Sequence, residues 1–219
     1  MKKLLVIVCC VISTVLSAQN GVFGGLTMVK AVGLQGVYPG MHFGIEIPKD
    51  NEVSFFVRAT TTLRNSYEQS IYYQAIDPMT SPSLIMANTQ FKSGYFNIDG
   101  GTRYYIGDGY DSGFSFYGGT IFMLSTTGIK RKAQSDFDMS KYEFIDASNL
   151  PYAKTGRIFS MNLGLNAGLK KQVGIGMVYL DVVGAYSIFA VGSNSLASDY
   201  GTYSRIIFNV SVGYRRNLY

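Results

Sequence analysis

Cysteine is nearly missing from this 219-residue chain: Cys9 and Cys10 are the only two, and both fall in its first ten residues. Charge is scarce as well, at 15% Asp, Glu, Lys and Arg, and there are five prolines and one histidine, His42. Beyond the first 18 residues no apolar run approaches the roughly 20 residues of a membrane-crossing helix, and no segment carries a helical stripe. These absences exclude several classes. The body of the chain has no disulfide framework and no thiolate metal site. Its basic residues are scattered, which excludes a nucleic-acid footprint. Neither a zinc-ligand cluster nor a phosphate loop is present, and "DGYDSG" at 108–113 lacks the downstream acidic ligands of a calcium loop. No cofactor is implied.

The first 18 residues read as a signal peptide. Lys2 and Lys3 precede an apolar run of 13 residues, Leu4 to Leu16, and the small residues Ser17 and Ala18 follow before Gln19. A lipoprotein signal using Cys9 or Cys10 fits less well, because Val8 precedes Cys9 and the apolar run continues past it. Cleavage after Ala18 removes both cysteines with Lys2 and Lys3, leaving 17 basic against 14 acidic residues, a net charge of +3. Residues 19–219 are then expected to form one domain.

What the chain does have is 25 glycines, 17 tyrosines and 14 phenylalanines, a composition that favours strands and close backbone packing. Alternation follows, segment by segment. From Val53 to Leu63, Val53, Phe55, Val57 and Leu63 share a face opposite Ser54, Phe56, Arg58 and Thr60. From Tyr95 to Ile106, Phe96, Ile98, Tyr104 and Ile106 oppose Asn97, Asp99, Arg103 and Tyr105. From Phe159 to Lys170, Phe159, Met161, Leu163, Leu165 and Leu169 oppose Ser160, Asn162, Asn166 and Lys170. The last such segment sets Phe208, Val210, Val212 and Tyr214 against Asn209, Ser211, Gly213 and Arg215. Segments at 37–47, 114–124 and 176–186 fit less cleanly, and the first strand, about Gly21 to Val32, is diluted by glycine. The reading is all-β with eight strands.

A soluble barrel would turn its second face to water and charge it well. Here that face holds Gly, Ser, Asn and Tyr with one or two charges per strand, which favours an inverted barrel, apolar outside and polar inside. The connections agree. After a short link at 33–36, tight turns ("PKDN", "GDGYDS", "KKQ") alternate with longer stretches at 65–91, 128–156 and 188–202, as long extracellular loops alternate with periplasmic turns in an up-and-down barrel.

In the signal ending "SAQ", the Gly- and Tyr-rich strands, the loop alternation and the terminal aromatic, residues 19–219 resemble the small eight-stranded outer-membrane β-barrels of Gram-negative bacteria. The likeness is to the OmpA and OmpX kind and particularly the PorT-like group. The resemblance implies an up-and-down transmembrane barrel in the outer membrane, in contact with its lipid and lipopolysaccharide. It also implies that the barrel-assembly machinery reads the last strand through Phe208, Val210, Val212, Gly213, Tyr214 and Tyr219. Asn217 departs from that pattern, since an apolar residue is expected there, and Gly213 falls one place early. Because Tyr214 and Tyr219 differ in parity, a bulge is expected near Arg215 and Arg216. Tyr104, Phe114, Phe116 and Tyr219 are candidates for the periplasmic aromatic girdle.

Eight strands enclose a bore that side chains can fill. The expected lumen network is Glu46, Arg58, Asn97, Asp99, Arg103, Asn162, Asn166, Lys170, Asp181, Asn209 and Arg215, paired across the bore and non-conducting. His42 with Glu46 and Ser54 is the one arrangement suggestive of a lipid A acyl enzyme, and a lone lumen histidine more often serves structure. Specific function is expected in the loops. Tyr67, Tyr72 and Tyr73 are candidates for a protein or glycan contact, and Lys130, Arg131 and Lys132 for lipopolysaccharide phosphates. The reading is a non-enzymatic barrel acting at the surface; the alternatives are a subunit of secretion or transport machinery, the acyl enzyme and a soluble periplasmic barrel.

Overall fold

The computed structural model describes residues 20–111, 113–134, 136–144, 155–192 and 204–218; the expected signal peptide and Tyr219 lie outside them. Ten strands run through this part of the chain: β1 (Gly21–Ala31), β2 (Tyr38–Pro48), β3 (Val53–Thr62), β4 (Asn65–Ala75), β5 (Leu84–Gly107), β6 (Phe114–Gln134), β7 (Tyr142–Phe144), β8 (Thr155–Val173), β9 (Gly176–Gly192) and β10 (Ile206–Asn217). A single 3-10 turn, Met139–Lys141, precedes β7.

Eight of these strands, β1, β2, β3, β5, β6, β8, β9 and β10, close a ring of antiparallel pairs. The ring joins at β1 with β10, where Leu26 faces Val212, and at β3 with β5, where Arg58 faces Asp99. Period-two patterning then decides which face turns in. On β10, Phe208, Val210, Val212 and Tyr214 are exposed on the outer wall, while Asn209, Ser211 and Arg215 are buried. On β8, Leu163 and Leu165 point out, and Asn162, Asn166 and Lys170 point in. The chain is an eight-stranded antiparallel up-and-down barrel of the transmembrane type, apolar outside and polar inside.

Three short turns share one end of the barrel with Asn20 and Leu218, whose backbones bond at 2.7 Å. In the turn at 49–52 the Asp50 carboxylate accepts the backbone N–H groups of Glu52 and Val53 at 2.9 and 2.8 Å. Gly174, with φ +62°, makes the β8–β9 turn.

The wall is uneven in height. β1 and β2 have 11 residues each, whereas β5 has 24 and β6 has 21, about twice the roughly 9–11 that cross a bilayer. Two expectations are corrected here. Residues 65–91 are not a loop: β4 pairs with the upper half of β5 from Asn65 opposite Ser93 to Gln74 opposite Leu84. The link at 32–37 is short, so β2 ends early and β4 continues with β5 and takes β7 on its other edge. Nor is there a bulge at Arg215 and Arg216, where pairing to both neighbours is continuous. Arg216 and Leu218 extend the outward series and Asn217 turns in. The register shift lies instead at Met161/Asn162, which face Phe189 and Ser187, so that Ile188 and Phe189 both point outward.

Inward glycines make room for large rings. A Cβ at Gly213 would fall inside 3.0 Å of both the Gly24 carbonyl and the Tyr179 hydroxyl, whereas one at Gly128 would meet nothing within 4 Å. Gly213→Ala is expected to cost about 1–3 kcal/mol by overpacking. It should appear as a lower urea midpoint for loss of the folded gel band, with Gly128→Ala unchanged or raised.

Candidate functional site

All eleven residues expected in the lumen lie inside the barrel, each 3% exposed or less. They form layers along the bore. Nearest the short turns, Glu46 on β2 is the hub: Arg103 and Arg215 reach its Oε2 at 2.8 and 3.2 Å, and the Ser54 and Tyr105 hydroxyls donate to its Oε1. Tyr110, on the β5–β6 turn, folds into this mouth and is fully buried. Positive φ at Gly107 and Gly109 (+114° and +81°) bends the turn inward, and Asn51 accepts the Tyr110 N–H at 2.9 Å through its side chain. The Tyr110 carbonyl accepts from Lys170 at 2.6 Å and from Arg215, whose guanidinium lies 3.9 Å over the Tyr110 ring.

Above this layer Arg103 sits 4.3 Å over Phe56 and 4.7 Å over Tyr117. Phe23, Phe56, Ile121, Met123, Tyr179 and Val183 form an apolar cluster here, so the bore is less polar than the strand pattern suggests. Arg58 then bridges two carboxylates, Asp99 at 2.8 Å and Asp181 at 2.6 Å. Ser125 donates to Asn97 at 2.6 Å, Asn162 donates to the Met123 carbonyl at 3.1 Å, and Thr27 bonds Asn209. Val29, Leu34, Tyr38, Tyr95 and Ile207 close the far mouth, with the Tyr38 hydroxyl 2.8 Å from Ser93.

Four cations, Arg58, Arg103, Lys170 and Arg215, thus meet three carboxylates, Glu46, Asp99 and Asp181. A carbonyl and the Met177 sulfur (3.1 Å) solvate Lys170 in place of a fourth. The gap between Glu46, Arg103, Tyr117 and Lys170 measures about 10 Å³, room for about one water. A bore filled this way lets its side chains brace the wall from inside.

The structure does not assemble the histidine arrangement. His42 pairs through Nε2 with the Tyr179 hydroxyl, and Ser54 donates to Glu46, so the imidazole is set neither on Ser54 nor on Glu46. Among the described residues no group of three His, Cys, Asp or Glu side chains could hold a metal ion.

The loop candidates separate. Tyr73 is buried, its hydroxyl 2.8 Å from Thr89, in a cluster with Ile85, Ala87, Phe91 and Tyr142. Tyr67 stacks on Phe91 with ring centroids 5.1 Å apart. Tyr73 is therefore corrected from a contact residue to the small core of the projecting sheet β6–β5–β4–β7, and Tyr67 packs, partly buried, against that core. Their side chains alternate with Ser66, Glu68 and Tyr72, and that period of two is the signal that marks β4 as a strand. Tyr72 stays exposed opposite Met86. Lys130 and Lys132 are exposed on β6, and the Arg131 side chain lies outside the description. At the base of β7 Asp138 accepts from Ser140 N–H and Oγ at 3.1 and 2.7 Å, which holds its carboxyl below the ordinary value. Of the expected assembly residues, Phe208, Val210, Val212 and Tyr214 line the outer wall and Gly213 faces in. Tyr104, Phe114 and Phe116 ring the same wall beside the short turns.

No protein-family model and no curated protein sequence matches the chain. Solved structures do. Ail, the attachment invasion locus protein of Yersinia pestis, is 14% identical over 90% of this chain and 99% of its own, with a TM-score of 0.42. Neisserial surface protein A is 12% identical over 91% and 96%, with a TM-score of 0.42. CarO of Acinetobacter baumannii is 9% identical over 91% and 97%, with a TM-score of 0.39.

Proposed function

We propose that the chain is an integral outer-membrane protein without enzymatic activity, anchored by its barrel and acting through the sheet and loops that rise from the long-loop end. One observation carries this reading: the wall is apolar outward while the bore is packed with ion pairs, an inversion that only a lipid surrounding makes favourable. In this orientation the short turns face the periplasm. Phe208, Val210, Val212 and Tyr214 are the surface that the barrel-assembly machinery would read.

The filled bore argues for an anchor and not a pore. The projecting sheet favours a partner outside the membrane, since it exposes Tyr72, Leu84 and Met86 together well above the lipid-facing belt. The same exposure supports a second reading, a subunit of secretion or transport machinery held through that sheet.

Membrane fractionation with a heat-modifiability gel tests the anchor. Retention in the outer membrane after carbonate washing, with migration that shifts on boiling, is the expected result. Release into the soluble fraction would overturn it.

A further inference from the structure

Charge is not evenly matched along the bore. Deeper in, Arg58 meets two carboxylates, Asp99 and Asp181. In the layer beside the short turns the ratio reverses: Arg103 and Arg215 share Glu46, at 2.8 and 3.2 Å, and Lys170 stands with them. Asp181, 3.7 Å from Arg103, is already held by Arg58. Among the described residues no ion pair reaches Lys170. Two acids of the β5–β6 turn are engaged elsewhere, Asp108 by the Phe114 N–H at 2.8 Å and Asp111 by the Asn217 amide at 3.2 Å. This layer therefore holds three cations against one carboxylate.

Hydrogen-bond donors are in surplus at the same place. An ammonium carries three N–H donors, and Lys170 uses two, on the Tyr110 carbonyl at 2.6 Å and the Met177 sulfur at 3.1 Å. Nε of Arg103 and Nε of Arg215 have no acceptor, although both residues are buried. Phe56 and Tyr117 lie over the Arg103 guanidinium at 4.3 and 4.7 Å, so a further partner must approach in its plane. Unpaired charge and unmet donors are costly in a dry interior.

Arg103, Lys170 and Arg215 line one gap, whose volume of about 10 Å³ admits about one water-sized occupant. Met177 lines that gap and also an outer cleft of about 470 Å³ at the short-turn end, where Arg216 stands with Asp111 and Asn217. One side chain is thus common to the gap and the open end of the barrel, and methionine, unbranched and flexible, yields readily.

We infer that this gap is a binding site for one monatomic anion of the chloride class, held between Arg103, Lys170 and Arg215 and admitted past Met177. The anion accepts the N–H donors that nothing else accepts and offsets the surplus positive charge. Size selects it, because the gap excludes sulfate, phosphate and organic carboxylates. A water molecule would meet the donors but leave the charge. The site lies inside the barrel and does not depend on what the projecting sheet contacts.

The test exchanges sodium gluconate for sodium chloride at constant ionic strength, with the folded protein in a neutral maltoside detergent, and follows urea unfolding by circular dichroism. At the urea concentration that half-unfolds the protein in gluconate, saturating chloride should raise the folded-to-unfolded ratio at least about tenfold. Bromide should act alike and sulfate should not. Lys170→Met should abolish the halide response, and Lys171→Met, at the exposed neighbouring position, should keep it. Crystals of the unaltered protein grown in bromide should show an anomalous peak between Arg103, Lys170 and Arg215, which decides the matter even where Lys170→Met does not fold. Equal unfolding in chloride and gluconate would assign the gap to water and overturn the site. A halide response that survives Lys170→Met, or a bromide map without that peak, would overturn it as well.

Discussion

Arg58→Met is expected to destabilise the barrel by about 3–5 kcal/mol, the cost of stranding a buried charge. Arg58 is fully buried and holds Asp99, its neighbour across the β3–β5 ladder, together with Asp181 from β9 on the other side of the bore. Methionine fills much of the volume but leaves two carboxylates facing each other, with Arg103 Nη2, 3.7 Å from Asp181, as the remaining cation. The readout is the urea midpoint at which the heat-modifiable band disappears from lipid vesicles. Arg58→Met/Asp99→Asn/Asp181→Asn should recover most of the loss, because it removes the charges instead of orphaning them. Lys49→Met, in an exposed turn, should stay within about 0.5 kcal/mol of wild type. A single Arg58→Met variant as stable as wild type would mean that the bore is wet enough to solvate the carboxylates.

The barrel was legible in the sequence because strand alternation is local: Phe208, Val210 and Val212 declare one face and Asn209 and Ser211 the other, whatever pairs with them. The polar face on which Glu46, Arg58 and Asp99 stand could be read in the same way. Which of them meet could not, since Arg58 and Asp181 are 123 residues apart and their contact depends on strand stagger around the ring. Tyr110 was hidden for a different reason. It sits in a turn, where alternation carries no information, and three positive-φ glycines at 107, 109 and 113 let that turn enter the bore. The β4–β5 extension escaped because above the lipid belt a strand needs no continuous greasy face. Ser66, Glu68 and Asn88 face water there, and Tyr67, Tyr73, Ile85 and Phe91 mark the inner side. Phe23 and Phe56, on the face expected to be small or polar, show that the lumen pattern permits rings wherever a neighbouring glycine, such as Gly44 under Phe23, yields the space.

Leu165→Arg probes the other side of the wall and should be nearly as damaging. Leu165 is 66% exposed, lies midway down the outward series of β8 and pairs with Thr120 on β6 and Gly184 on β9. By exposure alone an arginine there should be harmless, and on a soluble barrel it would add a favourable surface charge. In a bilayer it stands near the midplane, where arginine on a barrel's lipid face costs about 2–4 kcal/mol, against about 0–1 near the interfaces. Val173→Arg, at the short-turn end of the same strand and 52% exposed, is the matched comparison. The expected pattern, measured as urea midpoints in vesicles, is a large loss for Leu165→Arg and little change for Val173→Arg. The two positions have similar exposure and secondary structure, so a difference between them can come only from depth in a medium that excludes charge. Equal, small effects would mean that the medium around Leu165 is water.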